Sequence, residues 1–130
     1  MNLTTRADAV AALRAHYMPE LLKVEDFEAF ESIVASNGKS LLAGMMAACL
    51  AGFDESLRGS MPRGWSAHHR ARRKLATLVG PVEFERTVFV DEFGRRRALL
   101  DELLSIPPRS RLSPGAFLWL VGRAAEESYR

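Results

Sequence analysis

The chain has 130 residues, room for one modest domain or two small subdomains, which excludes a large enzyme. With 48% hydrophobic and 26% charged residues and a mean hydropathy of −0.07, it has the make-up of a chain that folds in water rather than one that stays disordered. The net charge of +2 conceals an asymmetry: residues 1–57 hold four Lys/Arg against eight Asp/Glu, and residues 58–130 hold fourteen against eight.

Lysine occurs only at Lys23, Lys39 and Lys74, so the basic character is almost wholly arginine. The planar guanidinium suits phosphates and base edges, although a high-GC genome would produce the same bias. No unbroken apolar run approaches the roughly 20 residues that cross a bilayer, and Met1–Thr5 lacks a basic stretch followed by an apolar block. The expectation is a soluble protein of the reducing cytoplasm. Its one cysteine, Cys49, lies in Met45–Leu50, where a free thiol behaves as a small buried hydrophobe.

Thr5 to Tyr17 reads as a first helix, opened by Thr5 with Asp8 three residues on and closed by Pro19. Val24, Phe27, Phe30, Ile33 and Val34 form the apolar stripe of a second, acidic helix that ends at Asn37-Gly38. Ser40 then caps a third helix to about Leu57, apolar nearly all round over Leu41–Leu50, as expected of a helix buried or packed on a partner chain. Gly59, Pro62 and Gly64 punctuate the chain. The expected organisation is therefore a helical subdomain over 1–58, a basic linker over 59–74, and a β-meander with a closing helix over 75–130.

Residues 58–74 contain Arg58, Arg63, Arg70, Arg72, Arg73 and Lys74 and no acid. Three short strands are expected at Leu75–Val79, Val82–Val90 and Arg96–Leu100, separated by turns at Gly80-Pro81 and Asp91–Gly94. In the second strand Val82, Phe84, Val88 and Val90 share one face and Glu83, Glu85, Thr87 and Phe89 the other. Arg86 interrupts the apolar face, which places it near an edge or beside an acid. Leu99–Leu104 is a short helical turn before Pro107-Pro108. Ser113-Pro114 starts a last helix with Phe117, Leu120, Val121, Ala124 and Ala125 on one side and no stop signal at its end. The fold class is α+β: helices, then a three-stranded antiparallel meander, then a helix.

Little catalytic chemistry fits these residues. A zinc site takes about four ligands at defined spacing, and the chain offers one Cys and three His. His68 and His69, adjacent, would point apart. There is no Gly-x-Ser-x-Gly, and the surroundings of Cys49 are too apolar to favour a thiolate. The acid pairs Asp54-Glu55, Asp91-Glu92, Asp101-Glu102 and Glu126-Glu127 face different directions and read as solvated turn and helix residues. The glycines never approach a phosphate-loop pattern. No cofactor or metal is expected. What remains is nucleic-acid binding: Arg70, Arg72, Arg73 and Lys74, then Arg95, Arg96 and Arg97, then Arg109 and Arg111 cluster at the ends of elements, where phosphate contacts are commonly made.

The order of residues in 72–130 is similar to the N-terminal part of the ISLre-type bacterial insertion-sequence transposases, long catalogued as an uncharacterised protein family. The resemblance rests on Arg72-Arg73-Lys74, Thr77-Leu78-Val79-Gly80-Pro81-Val82, Arg86 with Phe89, Gly94, and Leu99-Leu100-Asp101-Glu102. It continues through Leu104-Ser105-Ile106-Pro107, Ser113-Pro114 and Ser128-Tyr129-Arg130. It implies a DNA-facing module whose helix-turn-helix and metal-dependent ribonuclease-H-like catalytic domain lie downstream of Arg130. Related transposases often carry a zinc ribbon at the hairpin; here Asp91-Glu92-Phe93-Gly94 stands there, so the sheet depends on packing instead. The expectation is a non-catalytic N-terminal domain of a transposase, binding duplex DNA mainly through phosphates or assisting assembly of an oligomer. The alternatives are a dimerisation module using helix 41–57 and a remnant regulator without DNA chemistry.

Overall fold

A computed structural model describes residues 5–128. Along the chain run α1 (Arg6–Leu21), α2 (Phe27–Gly59), β1 (Ser66–Thr77), β2 (Gly80–Val90), β3 (Arg96–Arg97), α3 (Leu99–Leu103) and α4 (Pro114–Ser128). The strands form one antiparallel sheet in the order β1-β2-β3, as the α+β reading expects. Two compact units divide at Gly38 and Lys39. The first holds α1 and the start of α2; the second holds the rest of α2, the sheet, α3 and α4. The expected boundary at 59–64 is the loop between α2 and β1, whereas the units part inside α2.

In the first unit Thr5 caps α1, its hydroxyl accepting the Asp8 N–H at 3.2 Å. Pro19 does not end the helix, which runs to Leu21. A proline in the last turn forfeits one hydrogen bond, and the turn closes through Leu22 N–H to the Met18 carbonyl at 3.0 Å. The two helices expected over 24–57 are one 33-residue helix. Asp26 starts it by accepting the Ala29 N–H at 2.8 Å, and Gly38 stays within the helical run. A glycine there costs only about 1 kcal/mol relative to alanine, and no proline follows to force a stop.

The apolar part of α2 is not buried all round. Ala43, Met46, Ala47, Leu50 and Leu57 pack against the sheet side, while Leu41, Leu42, Met45 and Cys49 are exposed. A buried Cys49 is thus overturned: a cylinder lying on a sheet covers only one stripe of itself. By length and composition α2 is apolar enough to cross a membrane, with mean hydropathy 1.3 in its most apolar window, although Ser, Gly and charged residues keep any unbroken apolar run in it short of roughly 20 residues.

The core of the second unit is Leu75, Val82, Phe84, Leu100 and Ile106. β1 is longer than expected: residues 66–74, read as linker, pair with β2 from Ser66↔Val90 down to Lys74↔Glu83. Its polar sequence forms a strand because β2, rich in β-branched and aromatic residues, supplies a complete ladder. The hairpin turn is Leu78-Val79, one step before Gly80-Pro81; Thr77 Oγ1 donates to the Gly80 carbonyl at 2.7 Å and accepts Val79 N–H at 3.1 Å. β3 is only two residues. A register shift between Ala67 and His69 brings the His68 and His69 rings together, Nδ1 to Nδ1 at 2.6 Å, so they do not point apart. A bulge breaks the alternation that separates sequence neighbours.

Burial along β2 changes face. Val82 and Phe84 are buried, then Thr87 and Phe89, while Val88 and Val90 are half-buried. The expected single apolar face fails because the second half is covered from the other side. Asp54 of α2 accepts Thr87 N–H and Thr87 Oγ1–H, each at 2.8 Å, and the Trp65 ring lies 6.5 Å from that of Phe89. α3 ends in a Schellman arrangement: Ser105, at φ 55°, donates to the Glu102 carbonyl at 3.2 Å and Ile106 to that of Asp101 at 2.8 Å. The segment before α4 runs beside the outer edge of β1, with Ala76 N–H to the Arg111 carbonyl at 2.8 Å and Ser113 N–H to that of Ala76 at 3.0 Å. Ser113 caps α4 as expected, accepting Ala116 N–H at 3.1 Å. α4 buries only Ala116; Phe117, Leu120 and Val121, on the apolar side read from the sequence, are exposed. Tyr129 and Arg130 lie outside the described residues.

Asp54→Ala should lower stability by about 3 kcal/mol, since two hydrogen bonds to a charged group go and a buried N–H is left without a partner. Asp54→Asn, which keeps one acceptor, should lose distinctly less. Denaturant melts of the two variants check this; equal losses would show that the hydrogen bonds are not what α2 contributes.

Candidate nucleic-acid interface

A cleft of about 810 Å³ opens between the sheet and the 105–110 segment. β1 supplies Arg72, Arg73 and Lys74, β2 supplies Arg86, β3 supplies Arg96 and Arg97, and the 105–110 segment supplies Arg109. These seven cations face two carboxylates, Asp101 and Glu102. Arg109, with φ 63°, turns the chain back after Pro107-Pro108.

The cations divide by what they touch. Asp101 is buried, and its Oδ2 holds Arg73 Nη1 at 2.8 Å and Arg86 Nε at 3.2 Å. Arg73 Nη2 also donates to the carbonyls of Pro107 and Ser110, and Arg86 Nη1 to that of Ala71 at 3.0 Å. Arg86 therefore sits in the central strand beside an acid, one of its two expected placements. Arg97 bridges Glu102 at 2.8 Å and Asp91 at 3.3 Å and lies over the Trp65 ring at 5.2 Å. Arg73 and Arg97, expected as DNA contacts, are thus committed to the fold. Arg72 is exposed with only a 3.9 Å contact to Glu85, and Lys74, Arg96 and Arg109 are exposed on the cleft.

The other expected contacts lie elsewhere. Arg70 lines a different depression with Asp54, Glu83 and Glu85. Arg95 is at the hairpin turn, 3.4 Å from Asp91. Arg111 is exposed, and its carbonyl serves the β1 edge. Sequence reasoning missed Arg86 as a wall of the cleft. It also took Asp54, Asp91 and Asp101 as solvated, whereas each is buried while Glu55, Glu92 and Glu102 beside them are exposed. Neighbouring side chains do face different directions, and here one of each pair faces inward. Among the described residues no three His, Cys, Asp or Glu side chains converge as a metal site.

Asp91 fixes the β2–β3 turn. Its Oδ1 accepts Phe93 N–H and Arg95 N–H, both at 2.9 Å. Burial alone would raise its carboxyl; the N–H groups of Arg95 and Phe93, the Arg97 guanidinium and the charge of Arg95 outweigh it and hold the group below its ordinary 3.8. Arg97 is raised above its usual value, by its bond to Glu102 foremost, against burial and with help from Asp91.

Asp101→Ala should destabilise by about 3–5 kcal/mol, because two largely buried guanidinium groups lose their counter-charge, whereas Arg72→Ala should cost under about 1 kcal/mol. Urea melts give both numbers. A depressed carboxylate contributes its full stability above its unfolded pKa and loses it as pH falls through the lowered folded value. The stability gap between the natural chain and Asp91→Asn should accordingly be full at neutral pH and close as the pH falls below 3.8, read by thermal melts across that range. A gap independent of pH would show that the ionised form is not what holds the turn.

The chain resembles two UPF0236 proteins of Caldanaerobacter subterraneus subsp. tengcongensis. Each is 36% identical over 66 residues, half of this chain, which is 14% of one relative and 13% of the other. The matched stretch is thus about one seventh of the length of these relatives. No solved structure matches. The sequence profile of the uncharacterised protein family UPF0236 matches residues 21–130, reaching well before Arg72 into the helical part of the chain. Because that match takes in all of α2, the whole sheet and both later helices, the chain belongs to the uncharacterised protein family UPF0236.

Proposed function

We propose that this chain is a non-catalytic, DNA-facing part of a cytoplasmic transposase of the ISLre type, holding duplex DNA through its phosphates. The observation that carries the reading is the arginine-lined cleft, whose lining includes the exposed Arg72, Lys74, Arg96 and Arg109. Phosphate contacts by such groups release counterions and bind with little regard to sequence. Asp101 neutralises only part of the charge of Arg73 and Arg86, so the floor of the cleft also stays positive. The buried carboxylates are engaged in ion pairs, turns and the α2 anchor, and the resemblance assigns catalysis to another part of a transposase.

A second reading is favoured by a separate observation: Leu41, Leu42, Met45 and Phe53 are exposed along α2. On that reading the chain is a dimerisation module and the arginines only keep it in solution. Titration of random duplex DNA at two salt concentrations separates the two, since a phosphate binder loses affinity steeply with salt. Replacing Arg72, Lys74, Arg96 and Arg109 together by Ala should weaken binding to all sequences alike and reduce the salt slope by about 0.9 for each phosphate no longer neutralised. It should leave the melting temperature nearly unchanged, which the same change at Arg73 would not. Unchanged affinity and slope in the quadruple variant would move the assignment to dimerisation.

A further inference from the structure

The tip of the β2–β3 hairpin presents an aromatic ring where the fold has no use for one. Phe93 is 72% exposed, so its ring contributes little to the core, yet the backbone that carries it is held firmly. Asp91 accepts the N–H groups of Phe93 and Arg95 through Oδ1 and that of Gly94 through its carbonyl at 3.0 Å, and donates its own N–H to the Arg95 carbonyl at 2.9 Å. Gly94, at φ +78°, makes the return that a residue with a side chain would make only under strain. Beneath the tip the Trp65 indole N–H donates to Glu92 and the Arg97 guanidinium lies over the Trp65 ring.

The charge around the ring selects its partner. The Arg95 guanidinium stands 5.1 Å from the Phe93 centroid. Arg96, three residues on, is exposed and lines the cleft, so the chain that carries the ring runs directly into the basic track. An apolar side chain on a rigid turn, flanked by cations, matches the elements that stack on bases or wedge between base steps while neighbouring arginines hold the backbone. We infer that Phe93 stacks on a nucleobase of the DNA bound in the adjoining cleft, opening the base stack at the point where the hairpin tip meets it. This inference rests on the DNA-binding reading above.

The test uses the full 130-residue chain and a short duplex with a central 2-aminopurine, whose emission rises when it unstacks. The natural chain should raise the emission on binding. Phe93→Ala should bind about tenfold more weakly, raise no emission and keep the salt slope, since every cation that meets a phosphate is still in place. Phe93→Trp should restore both affinity and signal. Phe93→Leu, which keeps apolar bulk without a π-face, should behave like the alanine variant. Melting temperatures of all three should match the natural chain, because the turn is held by its backbone. DNA binding by the natural chain with a silent probe, or a Phe93→Ala variant indistinguishable from it, would overturn the stacking role and leave the phosphate-binding reading standing. No DNA binding at all by the natural chain would overturn both.

Discussion

A single buried carboxylate ties the second unit together. Asp101 draws Arg73 from β1 and Arg86 from β2 onto one oxygen, and its own carbonyl closes the end of α3 through Ile106. Two adjacent strands and the short helix beside them are thereby joined at one point, where side chains are too far from water for the charges to be screened away. Arg73 extends the tie to the Pro107 and Ser110 carbonyls, which sets the rim of the cleft. The same groups that hold the fold thus shape the basic surface.

That constraint decides how the arginines are used. A guanidinium that must neutralise a buried acid is directed inward, and its neighbour one residue away along the strand is directed outward. Arg73 is therefore committed while Arg72 and Lys74 face outward, and at the hairpin Arg97 is committed while Arg96 is exposed. The alternation converts two runs of consecutive cations into an inner set that stabilises and an outer set that can meet a ligand. Asp91 does for the turn what Asp101 does for the sheet, holding the Phe93 and Arg95 N–H groups and the Arg95 and Arg97 guanidinium groups around one carboxylate.

α2 joins the two kinds of surface. Asp54 anchors it to β2 through Thr87, and a stripe from Ala43 to Leu57 packs on the sheet side, but many of its apolar residues remain exposed. α4 is similar, with Phe117 to Val121 in water and only Ala116 buried. In the second unit much of the uncovered apolar surface lies on these two helices, and Leu78 and Phe93 add exposed apolar side chains at the two hairpin turns.

The sequence by itself determined the α+β class, the antiparallel meander, the Asp91–Gly94 turn, the Ser113 cap and the basic character of the second part, because each follows from local periodicity, turn chemistry or charge counting. Only the tertiary structure decided that residues 66–74 form a strand, since a polar segment becomes one only when a partner ladder is offered. It likewise decided that Asn37-Gly38 lies within a continuous helix, since a stop signal without a proline costs less than breaking the helix. The role of each arginine was beyond local reading for the same reason: whether it faces an acid or water depends on residues such as Asp101, 28 positions from Arg73, brought near only by the fold.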